Sequence, residues 1–126
     1  MSSPKAMVVD DSRAMRMILS RTLAESGFQV LQAANGRDAM DSMERDGASF
    51  QLVLVDWHMP ELSGLDFIRE VRARPEFAAI RLLMVTTETE IEQMSRALEA
   101  GADEYLMKPF TADSVKDKLR LLGMAE

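Results

Sequence analysis

Four short apolar runs in the sequence each end in polar side chains that can bind a cation or a phosphoryl group. In chain order these polar residues are Asp10 and Asp11, Asp56, Thr86, and Lys108. Carboxylate oxygens are the ligands that hard divalent cations such as Mg²⁺ prefer. A carboxylate can also attack phosphorus to form an acyl phosphate, while an ammonium and a hydroxyl hold the phosphoryl oxygens. The residue types therefore suit phosphoryl transfer to an aspartate beside a bound cation.

Each of these residues also has an ordinary structural explanation. Asp10 or Asp11 could cap the helix that follows them, and Thr86 could be a helix N-cap. Lys108 could be a solvated lysine before a turn. His58, the only histidine, is more often a loop side chain than a ligand in such a position. A shared site is favoured because four predicted strand ends out of five carry suitable groups.

The apolar pattern alternates five times between short strand-like runs and longer segments with helical spacing. The predicted strands are residues 7–9, 28–33, 52–55, 80–85 and 105–107. The run at residues 52–55 is rich in β-branched valine and apolar on both faces, as in a parallel strand covered by helices on both sides. Asp56 is therefore expected at the carboxyl end of a central strand.

Polar residues and glycines mark the ends of the predicted helices. Ser12 and Thr111 are expected to cap the first and the fifth helix, and Thr87 with Glu90 fits a capping box for the fourth. Gly27 is a stop signal at the end of the first helix. The fourth helix is expected to turn three residues toward the core: Met94, Ala97 and Leu98.

Five right-handed βα units predict one α/β domain over residues 1–126, with a five-stranded parallel sheet and helices on both faces. This is the flavodoxin-like (βα)5 fold. With the strand order 2-1-3-4-5, the first and third strands are neighbours, and their acids converge at the carboxyl edge of the sheet. Converging carboxylates repel one another, so a divalent cation is expected between them. We expect no output domain, and hence an output through a separate partner.

Composition and charge argue against several classes of partner and chemistry. The chain has 126 residues, of which 47% are hydrophobic and 29% are charged, and its formal net charge is -6. An acidic protein has no electrostatic reason to bind nucleic acid or an anionic membrane. The absence of cysteine excludes disulfides and thiolate chemistry. Because no signal peptide and no membrane-spanning run is evident, a cytoplasmic location is expected.

Four stretches occur in order and at consistent spacing: MVVDDS, LVDWHMPELSGL, LMVTTE and GADEYLMKPF. Together they resemble response-regulator receiver domains, most closely the stand-alone chemotaxis regulators of the CheY type, over essentially the whole chain. The resemblance implies a two-component phosphorelay switch rather than a turnover enzyme. A histidine kinase would be the phosphodonor, and a downstream protein such as the flagellar motor switch would be the target. A phosphatase partner and a monomeric state are also implied.

The resemblance assigns a role to each residue of the predicted site. It implies that Asp56 is the phosphoryl acceptor and, with Asp11 and the backbone carbonyl of His58, a direct Mg²⁺ ligand. Asp10 would hold the ion through water. The remaining implied features are phosphoryl binding by Thr86 and Lys108, switching by Thr86 and Tyr105, and a cis peptide bond between Lys108 and Pro109.

The same resemblance implies an output surface formed by helix four, strand five and helix five. Its residues are Glu90, Ile91, Met94, Leu98, Tyr105 and Lys118. Two of these positions have alternative explanations. Tyr105 could be a half-buried strand residue without a switching role, and Ile91 could pack against the loop before helix four rather than face solvent.

One position and one four-residue segment depart from the chemotaxis pattern. His58 stands where these regulators commonly carry Asn, which preserves the carbonyl ligand but affects the lifetime of the phosphoryl group. Helix four begins with TEIE in place of the lysines that meet the flagellar motor. A phosphate sink or kinase-bound adaptor without a motor target is therefore an alternative. A Mg²⁺-dependent aspartyl phosphatase is another, although the first strand is followed by DDS rather than by its Asp-x-Asp pattern.

Overall fold

Strands and helices alternate along the chain in the computed structural model. The structure describes residues 3–87 and 91–124, apart from the side chains of Ala48 and Ile91. The elements are β1 (Lys5–Val9), α1 (Arg13–Glu25), β2 (Gln29–Ala33), α2 (Gly36–Asp46), β3 (Phe50–Asp56), α3 (Gly64–Arg72), β4 (Arg81–Thr86), α4 (Ile91–Ala100), β5 (Glu104–Met107) and α5 (Ala112–Leu121). Short 3₁₀ turns at Gly47–Ser49 and Pro75–Phe77 precede β3 and β4. No helix in the described ranges is long and apolar enough to cross a membrane.

The described strands form one parallel sheet in the order β2-β1-β3-β4-β5. In the register of the central strands, Val9 lies opposite Val55, and Asp56 lies opposite Val85. The predicted fold class and strand order are therefore confirmed. Because β1 and β3 are neighbours, the acids that follow β1 meet Asp56 at one edge of the sheet.

Successive residues of each strand point to opposite faces of the sheet and pack into two cores, one on each face. Val53 belongs to the core that includes buried residues of α2, α3 and α4. Leu52 and Leu54 belong to the other core, which includes buried residues of α1 and α5. Burial on both faces explains why the central strands read as continuous apolar runs.

Two helices, α1 and α5, begin at the predicted side-chain caps. The Oγ of Ser12 accepts a hydrogen bond from the backbone N–H of Met15, and Thr111 accepts one from Ser114 in a capping box. Gly27, just after α1, has a φ of 98°, a conformation that glycine adopts without strain. The predicted box between Thr87 and Glu90 lies outside the described residues, since Glu90 is not among them.

One prediction about the core is wrong. Leu98 is 46% exposed, whereas Ala97 is buried and Met94 is half-buried. Neighbouring residues on a helix point about 100° apart, so Leu98 turns outward when Ala97 packs inward. The fourth strand also differs slightly from its prediction, because it ends at Thr86 rather than at residue 85.

Candidate functional site

The carboxyl edge of the sheet brings together the acids that the sequence analysis singled out. One carboxylate oxygen from each of Asp10, Asp11 and Asp56 lies within 4.8 Å of the others. Asp10 is 1% exposed and Asp56 is 6% exposed, while Asp11 faces solvent. The predicted juxtaposition of these side chains is present, and among the described residues they are the only such group whose geometry could hold a metal ion. We call these three residues the acid cluster.

Asp10 is fixed in place by the turn between β1 and α1. Its Oδ1 accepts a hydrogen bond from the backbone N–H of Ser12 at 2.8 Å, and its carbonyl oxygen accepts one from Arg16 at 2.7 Å. Its own N–H donates to the carbonyl of Ala33 at 3.1 Å. Asp10 therefore stabilises the turn before α1 and also contributes a carboxylate to the acid cluster.

Lys108 supplies an ammonium to the acid cluster from the end of β5. Its Nζ lies 3.4 Å from Oδ2 of Asp10 and 3.6 Å from Oδ1 of Asp56. The backbone N–H of Lys108 donates to the carbonyl of Thr86 at 2.8 Å, so the chain stays paired to β4 at this point. The peptide bond between Lys108 and Pro109 is cis, as predicted.

The electrostatic environment of Asp56 disfavours its charged form. Burial raises the pKa of the Asp56 carboxyl above its ordinary value, and the carboxylates of Asp10 and Asp11 raise it further. The Lys108 ammonium and a hydrogen bond from the backbone N–H of His58 lower this pKa without cancelling the increase. A divalent cation would offset the repulsion, and an all-oxygen donor set suits Mg²⁺.

The other predicted phosphoryl-binding and switch residues lie on the strands beside Asp56. Thr86 ends β4 and is 2% exposed, and its register partner on β5 is Met107. Tyr105 is half-buried in β5, opposite Met84. The His58 side chain is exposed in the loop after β3. Thr86 therefore lies on the strand between Asp56 and Tyr105.

The predicted output residues are only partly described. On α4 and α5, Met94 and Lys118 are half-buried and Leu98 is exposed. Glu90 lies outside the described residues. Ile91 begins α4, but its side chain is not described, so both alternatives for it, exposure to solvent and packing against the loop before α4, stay open.

Two residues that shape the site were not identified from the sequence. A Cβ on Gly64 would overlap the carbonyl oxygen of Asp56, so only glycine lets α3 begin this close to β3. Arg16 holds the carbonyl of Asp10, as described above. The available signals were a glycine at the start of a helix and an arginine one turn after paired acids, and neither is specific.

Comparisons with known proteins agree with the architecture. The family described as response regulator receiver domain matches residues 6–120. The chemotaxis protein CheY1 of Helicobacter pylori is 40% identical over 119 residues, covering 94% of this chain and 95% of that protein. The CheY homologue of Campylobacter jejuni is 39% identical over 116 residues, covering 91% and 88% respectively.

The solved structure of the chemotaxis response regulator CheY4 of Vibrio cholerae superposes with a TM-score of 0.89. It is 32% identical, and the match covers 96% of this chain and 99% of that one. The family match, the extent of the alignments and the shared fold agree with one another. This chain therefore belongs to the receiver-domain family of response regulators, with chemotaxis proteins of the CheY type among its relatives.

Proposed function

We propose that the chain is a cytoplasmic, stand-alone phosphorylation switch of a chemotaxis-type two-component system. Asp56 accepts a phosphoryl group from the phosphohistidine of a histidine kinase. The observation that carries the proposal is the position of Asp56. Its buried carboxylate meets two further acids and the Lys108 ammonium, 3.6 Å away, beside the strand that ends in Thr86.

The arrangement suits transfer of a phosphoryl group to a carboxylate. An Asp56 oxygen attacks phosphorus, a phosphorus–oxygen bond forms, and the phosphorus–nitrogen bond to the donor imidazole breaks. Lys108 is placed to neutralise charge on the phosphoryl oxygens, and the Thr86 hydroxyl can donate a hydrogen bond to one of them. Mg²⁺ held by Asp11, Asp56 and the His58 carbonyl, with Asp10 acting through water, would neutralise charge on the same oxygens.

The output follows from a change of charge at the edge of the sheet. The new phosphoryl oxygens draw the Thr86 hydroxyl toward Asp56, and Tyr105 changes position in response. The surface of α4, β5 and α5 then changes its affinity for a protein target such as the flagellar motor switch. Energetically this is a two-state equilibrium biased by phosphorylation, and a phosphatase partner would reset it.

A labelling experiment tests the acceptor. Wild-type protein incubated with acetyl phosphate or a cognate kinase should gain an acid-labile phosphoryl group that depends on Mg²⁺. Asp56→Asn should gain none, whereas Asp41→Asn, at an exposed position on α2, should label like wild type. Labelling of the Asp56→Asn protein at the wild-type rate would show that the acceptor lies elsewhere.

A pull-down distinguishes an output switch from the alternatives. Protein held active by beryllofluoride and Mg²⁺ is compared with unactivated protein. Capture of a motor-switch protein only by the activated form supports the output switch. Capture of the kinase alone supports the phosphate sink or adaptor, and turnover of an added phosphomonoester would indicate a phosphatase.

A further inference from the structure

Lys118 of α5 reaches across to the aromatic ring of Tyr105 on β5. Its Nζ lies 4.2 Å from the ring centroid and donates to Oε1 of Glu104 at 3.0 Å. The same Oε1 accepts the backbone N–H of Tyr105 at 3.1 Å. The Lys118 and Glu104 side chains are only 22% and 21% exposed. Glu104 therefore holds the ammonium above the ring and is itself bonded to the backbone that carries the ring.

This contact depends on where the ring lies. A cation over the face of an aromatic ring is attracted by the negative potential of that face. Partial burial limits the screening of this attraction by salt. If the ring moves, Lys118 keeps its bond to Glu104 but loses the ring. The three side chains therefore favour the ring position in this structure.

We propose that Lys118 and Glu104 are positioning residues that hold Tyr105 in its unphosphorylated position and so set the threshold of the switch. The inference rests on the proposed function, because it requires Tyr105 to move when Asp56 is phosphorylated. Lys118 acts through Tyr105 rather than on the phosphoryl group. Loss of the Lys118 charge should therefore lower the free energy needed to move Tyr105 to its position in the phosphorylated protein.

Tyr105 is the only tyrosine of the chain, so 3-fluorotyrosine gives a single ¹⁹F resonance that reports on this ring alone. Spectra are recorded for the full chain with and without beryllofluoride and Mg²⁺. In unactivated Lys118→Met, the resonance should move toward the position that activated wild type shows. The beryllofluoride concentration for half-activation should fall by about two- to fivefold, the range expected for a cation–π contact.

Two substitutions control for shape and net charge. Lys118→Arg keeps a cation that can lie over the ring, so it should stay close to wild type. Lys116→Met makes the same change of net charge about 200° around α5, and its resonance should match wild type. Glu104→Gln keeps an acceptor for the Tyr105 N–H but loses the ion pair, so it should shift the resonance less than Lys118→Met does. The resonance of the double variant, with both Glu104→Gln and Lys118→Met, should shift no further than that of Lys118→Met alone.

The outcomes separate this inference from the proposed function. The wild-type resonance could fail to shift with beryllofluoride although the protein is still phosphorylated on Asp56. That result would overturn the switch role of Tyr105 and this inference with it. A responsive wild type with an unshifted Lys118→Met would overturn the inference alone. A shift in Lys118→Arg as large as that in Lys118→Met would do the same, because charge would not be the cause.

Discussion

Two clusters of partly buried charged side chains differ in how their charges are paired. In the first, the guanidinium of Arg72 donates to the Asp103 carboxylate at 2.7 Å and to main-chain carbonyls of Gly101, Phe77 and Ile80 at 2.8 to 3.2 Å. We call this the arginine cluster. Beside the acid cluster, the Lys108 ammonium lies 3.4 Å from the Asp10 carboxylate and 3.6 Å from the Asp56 carboxylate, and the Asp11 carboxylate lies next to them.

The two clusters differ in whether their positive and negative charges balance. The Asp103 carboxylate also accepts the backbone N–H of Leu82 at 2.8 Å, so the arginine cluster pairs both charges with short hydrogen bonds. It ties the end of α3 to the starts of β4 and β5. Among the described residues, the three carboxylates of the acid cluster outnumber the ammonium group that lies beside them. The first arrangement stabilises the fold, whereas the second leaves excess negative charge around Asp56, which suits the cation and phosphoryl binding proposed above.

The largest expected effect comes from removing the Lys108 ammonium beside the acid cluster. Lys108→Met should slow phosphorylation of Asp56 by about 100- to 1,000-fold, the usual cost of losing one charge-stabilising donor in a transition state. The measurement is the initial rate of labelling by acetyl phosphate at saturating Mg²⁺. Lys116→Met is the matched control and should label normally. A Lys108→Met rate within twofold of wild type would remove Lys108 from the reaction.

The arginine cluster should show the opposite pattern. Arg72→Met should lower the free energy of unfolding by about 3 kcal/mol, since it leaves the Asp103 carboxylate and several carbonyls without their donor. Urea denaturation measures this change. Arg72→Lys should recover part of it, because a lysine cannot reproduce the planar fork. The labelling rate per folded molecule should stay at the wild-type value, and a large fall in that rate would link the two clusters.

The acid cluster was more predictable from sequence than the arginine cluster. Buried parallel strands read as apolar runs, so the sequence locates the strand ends, and the strand order then brings Asp11 and Asp56 together. Arg72 ends α3 and Asp103 follows α4, 31 positions later, and neither position carries a local signal of pairing. Such a contact depends on how the loops pack, which periodicity does not encode.

The same limit explains the error in α4 and the residues that were missed. The helical pattern identified α4 correctly, but side-chain packing decided that Ala97 rather than Leu98 turns inward. The closeness of Gly64 to the Asp56 carbonyl likewise depends on the path of the loop between β3 and α3. The positions of the acids follow from topology, while their supporting contacts follow from packing.

Removal of one acid should affect cation binding more than the fold. Asp11→Ala should weaken Mg²⁺ binding by about 10- to 100-fold or more, since even outer-shell partners of metal sites have effects of that size. Trp57 adjoins Asp56 and is largely buried, so a Mg²⁺ titration followed by its fluorescence measures the affinity. Asp41→Ala, on the exposed face of α2, should leave the affinity unchanged. Equal affinity in wild type and Asp11→Ala would exclude Asp11 as a ligand.

The smallest effect concerns stability and tests the imbalance of the acid cluster directly. The pKa of Asp56 is raised in the folded chain, so the folded state binds the proton at higher pH than the unfolded state does. The Asp56 carboxylate therefore costs stability above the folded-state pKa, and this cost disappears as the pH falls toward the ordinary value of about 4. An asparagine at this position is uncharged at every pH, so it does not carry this cost.

Without divalent cations, Asp56→Asn should therefore unfold at a higher temperature than wild type near neutral pH, and the difference should shrink as the pH is lowered. Added Mg²⁺ should also reduce the difference, because it binds the wild-type carboxylates and stabilises the folded state. Thermal denaturation of both proteins at several pH values, with EDTA and then with Mg²⁺, measures these changes, and Asp41→Asn controls for loss of an exposed charge. An Asp56→Asn protein that is less stable than wild type at neutral pH in EDTA would contradict the picture of an acid cluster with excess negative charge. The Asp56 carboxylate would then stabilise the fold, as the Asp103 carboxylate does in the arginine cluster.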